Sequence, residues 1–164
     1  MATAKRGGAD LKPVTEWALD ILRHRAAEDP RYVPNLITAL VAENRIDEAW
    51  ATALPHHDDL GETDLLDLLS ARAPTHPADV LEPYRRLIER HILDSGDKWR
   101  YERALKLLPS LQAAHQALGD QDGWTQYLDD LRDRHRIRPT FLRKLAAWQH
   151  GTTRSAGRRD APIA

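Results

Sequence analysis

Proline sets the outline of this chain: ten occur in 164 residues, eight of them between positions 30 and 139. Inside a helix, proline removes a backbone donor and crowds the turn before it, so it favours helix ends and first turns. The stretches between the prolines are dominated by Ala, Leu, Arg, Glu and Asp. Their β-branched and aromatic residues are scattered, with no clean polar–apolar alternation. An all-α chain of about eight helices is therefore predicted.

Predicted helices cover residues 15–28 with Thr15 as N-cap, 34–44 with Pro34 in the first turn and Asn44 as C-terminal cap, and 46–54, stopped by Pro55. A fourth follows Thr63 and ends at Pro74. The next lies within 77–93, where Pro83 either occupies the first turn of a helix starting near Glu82 or kinks a longer one. Residues 97–119 form the sixth, with a kink or split expected at Pro109. The last two span 123–136 and 139–148. "ENRIDEAWATAL", "SGDKWRYERALKLL" and "GDQDGWTQYLDDL" echo one another, each with a cap-like residue, a polar turn and an early ring, and Ala49 and Ala104 hold equivalent places. Antiparallel helical hairpins stacked as a short tetratricopeptide-like α-solenoid would bury such faces continuously. The expected organisation is a flexible N-terminus over 1–12, a helical-repeat domain over 13–150 and a disordered basic tail over 151–164.

These repeats lead to a resemblance. "ENRIDEAWATALP" resembles the second half of a tetratricopeptide-type repeat, without its first-half Trp, Leu-Gly and Tyr. Across residues 34–148, "RIDEAW", "HPADVLEPYRRLIERHI", "YERALKLLPSLQAAHQALG" and "WTQYLDDLRDRHRIRPTFLRKL" are similar to the helical C-terminal region of bacterial SWIM zinc-finger family proteins. That resemblance implies an interaction role for the helical region. This chain has no Cys, so the family's Cys-containing zinc site and any DNA-related role of that finger do not carry over.

The missing Cys also removes thiol nucleophiles, redox motifs and disulfides, which fits a reducing compartment. With no run of 18 apolar residues and no apolar stretch behind the basic start, a cytoplasmic protein is expected. Between residues 132 and 159, nine Lys and Arg face one acid, Asp133. This balance of +8 leaves −9 for the rest of a chain whose total is −1.

Candidate chemistry is sparse. "TALPHHDDLGE" carries the adjacent His and Asp of HD-type phosphohydrolases, and His24, His57, Asp58 and either Asp120 or Asp122 would be the metal ligands. Pro55 breaks the helix before that pair, however, and an acidic turn is the preferred reading. No Gly-rich phosphate loop, nucleophile elbow or HExxH pattern is present, so neither cofactor nor metal is expected. "RDRHRIRPTFLRK" is the most basic run. Its alternate arginines step by about 200° around a helix, so they do not form one phosphate-tracking stripe. They act instead as a charged end to the last helical pair, with Ile137, Phe141, Leu142 and Leu145 closing the apolar face. At least four of the five Trp are expected in the core.

The function predicted is a non-catalytic protein–protein interaction module whose partner is a protein or peptide. Acidic residues Asp58, Asp59, Glu62, Asp64 and Asp67 would favour a basic partner. The alternative is a nucleic-acid-associated accessory protein contacting its ligand through Arg134, Arg136, Arg138, Arg143 and Lys144.

Overall fold

The computed structural model describes residues 12–57 and 60–156. Those residues are all-helical, with eight α-helices and no strand. In order these are α1 (Lys12–Glu28), α2 (Val33–Ala42), α3 (Ile46–Ala53), α4 (Glu62–Arg72), α5 (Leu81–Leu93), α6 (Arg100–Ala117), α7 (Gln121–Arg134) and α8 (Pro139–Ala156). Short 3-10 turns, Pro30–Tyr32 and Leu54–His56, flank α2 and α3. No helix among the described residues is long and apolar enough to cross a membrane.

The chain divides into two compact units, Met1–Arg72 and Ala73–Ala164. In the first, α2 is the hub, packing on α1, α3 and α4. Its Leu36, Ile37 and Leu40 are buried beside Ala49 and Ala53 of α3 and Leu65, Leu68 and Leu69 of α4. Arg72, at the end of α4, is buried with its guanidinium over the Trp50 ring and pairs with Asp47. Burying a guanidinium is tolerated here because the π face and the carboxylate replace water.

In the second unit α6 is the hub, packing on α5, α7 and α8. Leu108 and Leu111 of α6, Leu87, Ile88 and Ile92 of α5, Leu131 of α7 and Phe141 and Leu145 of α8 are almost completely removed from solvent.

Proline behaves locally as expected at most sites. Pro83 falls in the first turn of α5, which selects the first of its two alternatives. Asn44 terminates α2 with φ 56°. Its N–H donates to Val41 O at 3.0 Å, and that of Arg45 to Leu40 O at 2.8 Å, the paired closing bonds of a Schellman end. Gly119 ends α6 in the same way at φ 67°, with Gly119 N bonded to Gln116 O and Asp120 N to His115 O.

Several expectations are corrected. Helix α1 begins at Lys12, so Thr15 lies inside it and is not its cap; Pro13 is accommodated because the first turn needs no N–H donor. Pro109 does not split α6, which runs unbroken through it. The proline itself faces solvent, while Ala104, Leu107, Leu108 and Leu111 hold the inner face to the core. Helix α8 continues past Trp148 and Gly151 to Ala156, so residues 151–156 of the expected disordered tail are helical. Residues 157–164, and all of the expected flexible segment 1–12 except Lys12, lie outside the described residues. Only Trp50 and Trp124 are buried; Trp148 is half-buried, and Trp17 and Trp99 are 65% and 55% exposed. Ile137 is exposed too and takes no part in the closing apolar face, because it sits in the turn before Pro139 rather than on a helix.

Candidate functional site

The second unit contains an open cleft of about 500 Å³. One wall is α5, contributing Glu82, Arg85, Arg86 and Glu89 at the i, i+3, i+4, i+7 spacing that puts four side chains on one helix face. The other is α7, contributing Gly123, Gln126, Tyr127, Asp130 and Arg134 on the same periodicity.

Most polar groups on these walls are paired along their own helix or with a neighbour. Arg86 Nε donates to Glu82 Oε1 at 3.1 Å, and Gln126 Nε2 to Asp130 Oδ1 at 2.8 Å. Glu89 Oε2 accepts from His135 Nε2 at 2.9 Å and lies 3.4 Å from Arg134 Nη1. His135 is buried, its ring edge-on to Phe141. Arg85 differs. Its Nη2 contacts His115 Nε2 at 3.2 Å and its guanidinium lies over the Tyr127 ring at 5.3 Å.

A guanidinium only donates, so His115 Nε2 accepts. Its other nitrogen, Nδ1, then donates to Asp120 Oδ2 at 2.9 Å. Asp120 Oδ1 meanwhile caps α7 through Gly123 N at 3.0 Å. Glycine suits position 123 because a Cβ there would collide with the Asp120 carboxylate. The Arg85 Nε and the Tyr127 hydroxyl are buried without a hydrogen-bond partner. Burial, with the Glu89 carboxylate next in weight, pushes the Tyr127 phenol well above the usual tyrosine range.

The residues singled out in the sequence are dispersed. Asp58 and Asp59 lie outside the described residues. Glu62 and Asp64 are half-buried and Asp67 is exposed on α4. Steps of two and three residues set Glu62 about 200° from Asp64 around the helix, so these three acids do not share a face. Among the basic residues, Arg134 is held by Glu89 and Lys144 Nζ by Glu102 Oε1 at 2.5 Å. Arg136 and Arg143 are exposed and Arg138 is half-buried, and none of the three has an ion pair among the described residues. Arg138 N donates to His135 O in the α7–α8 turn.

Of the proposed metal ligands, His24 is exposed beside Glu28 and His57 stands edge-on to Trp50 at 5.2 Å. Asp120 caps α7, and Asp122 is exposed in that helix's first turn. No group of three or more His, Asp or Glu able to hold a metal ion occurs among the described residues.

Arg85, Glu89, His115, Tyr127 and His135 are not among the residues that the sequence singled out. The stripe of Glu82, Arg85, Arg86 and Glu89 was a usable signal, being a continuous charged face on a helix whose other side buries Tyr84, Leu87, Ile88 and Ile92. The α7 wall carried none, because Tyr127 reads as a core ring.

An all-helical protein with a charged, two-walled cleft is what fold and site together define. Compared with protein-family models, curated proteins and solved structures, the chain matches none.

Proposed function

We propose that the protein is a non-catalytic protein-interaction module of the helical-repeat type. In this reading α5–α6 and α7–α8 are antiparallel, tetratricopeptide-like hairpins, as are α1–α2 and α3–α4 within the first unit. The α5–α7 cleft receives a segment of a protein partner. The observation that carries the reading is the construction of that cleft: two helix faces present charges of both signs along their length. Such a surface suits recognition of an extended or helical segment through many side chains.

The test is a displayed peptide library screened against the purified full chain. Enriched peptides are expected to bind the wild type and to lose at least tenfold in affinity with Arg86→Glu or Gln126→Trp, both exposed changes on the cleft walls. A library yielding no binder, or binders indifferent to both changes, overturns the reading.

A further inference from the structure

We infer that the α5–α7 cleft contains a seat for a carboxylate, formed by the Arg85 guanidinium and the Tyr127 hydroxyl. This rests on reading the cleft as a binding groove and adds the chemistry of what it recognises.

Three guanidiniums line the cleft, and two already face carboxylates: Arg86 on Glu82 and Arg134 on Glu89. Arg85 has no carboxylate partner among the described residues. Its acceptor is the uncharged nitrogen of His115, whose direction is fixed by the bond to Asp120. Arg85 Nε is buried with its N–H unused, and the Tyr127 hydroxyl on the opposite wall is likewise buried and unused. Tyr127 as a whole is 6% exposed. Buried donors without acceptors are uncommon, since each gives up water and receives nothing in return. Here two belong to residues already in contact through the guanidinium–ring stack. One N–H and one O–H donor on two residues in contact match the two oxygens of a carboxylate.

The lining also selects the charge of the ligand. Glu82 and Glu89 are taken up by Arg86 and Arg134, and Asp130 is bonded by Gln126, so the lining is formally neutral and its three carboxylates repel a phosphate dianion more than a monoanion. Entry requires the guanidinium to turn towards the mouth of the cleft. That motion gives up the His115 contact and keeps the stack on Tyr127, so both donors still meet one ligand.

Titration of the ¹⁵N-labelled full chain tests the seat, with the Arg85 Nε–H resonance assigned through Arg85→Lys. The probes are sodium acetate, inorganic phosphate at equal ionic strength, and end-blocked peptides differing only by an internal Glu or Gln. Acetate and the Glu peptide are expected to shift the resonance saturably, with phosphate and the Gln peptide leaving it in place. Tyr127→Phe keeps the ring and is expected to weaken acetate binding at least fivefold. A peptide binding ten times tighter than acetate identifies the ligand as an acidic side chain of a partner, and equal affinities identify a free organic acid.

An unmoved resonance, an equal response to phosphate, or unchanged affinity in Tyr127→Phe overturns the seat. Library peptides that bind the cleft without moving Arg85 sink the seat and leave the interaction reading standing; acetate binding with no library binder does the reverse. Should Arg85→Lys fail to fold, assignment through Tyr127→Phe shifts and the wild-type titration carry the test.

Discussion

His135, sealed in the core of the second unit, is bound to Glu89 through a 2.9 Å contact between Nε2 and Oε2 that joins the end of α7 to α5. Truncating the histidine leaves a buried space beside Phe141 and deprives Glu89 of its shortest partner. His135→Ala is expected to cost about 2 kcal/mol, the range of a hydrogen bond to a charged group plus a small cavity. Glu89→Gln, which keeps an acceptor for the same N–H, is expected to cost less than half of that. Urea unfolding of the two variants beside the wild type checks the order, and equal losses would contradict it.

The two helix ends closed by Gly119 and Asn44 give opposite expectations. Both residues have positive φ, which glycine adopts freely and Asn at modest cost. Nothing lies within 4 Å of a Cβ built on Gly119, so Gly119→Ala tests backbone conformation alone. It is expected to destabilise by about 1 kcal/mol. Asn44→Gly is expected to be neutral or stabilising by a few tenths of a kcal/mol. Thermal melts of the two variants give the comparison.

Glu48 sets an acid limit on the first unit. A hydrogen bond from Arg23 holds its carboxyl below the ordinary value of 4.5; burial opposes this and the Arg23 and Arg45 charges add to it. The two guanidiniums reach Glu48 at 2.8 and 2.6 Å, and Arg45 extends the network to Glu16. A carboxyl whose value is depressed on folding contributes stability that is complete above its unfolded value and is lost as pH falls through the folded one. The loss should therefore develop below about pH 4.5. Glu48→Gln is expected to be less stable than wild type at neutral pH, with the gap narrowing as the pH drops. Urea midpoints measured down the acid range test the sign, and a gap that widens refutes it.

These expectations divide by range along the chain. Asn44 was legible because a helix end depends on residues within one turn of it, whereas at Pro83 the sequence left a first turn and a kink both open. Exposure of Trp17, Trp99 and Ile137 was not legible, since an apolar side chain on a helix says nothing about whether another element covers it. The Glu89–His135 bond spans 46 residues and the Arg85–His115 contact spans 30. No periodicity in the sequence encodes either. Pro109 shows a local rule losing to packing: the leucines around it are buried on the inner face of α6, and that burial keeps the helix whole.

Pro109 also offers a direct way to raise stability. It lies in the interior of α6, exposed, with a full turn of helix on either side. There it denies the preceding turn one hydrogen bond and presses its ring on the carbonyl four residues back, a penalty of about 3 kcal/mol in helix interiors. Part of that is offset because proline also restricts the unfolded chain, by about 0.4–1 kcal/mol. Pro109→Ala is expected to restore the bond without touching the buried face, stabilising the second unit by about 2 kcal/mol. Hydrogen exchange should show protection at the new backbone amide that this substitution creates, with the neighbouring amides slowed. If stability falls instead, the proline ring contributes packing that its exposed position does not reveal, and α6 is held in a bent form that the core requires.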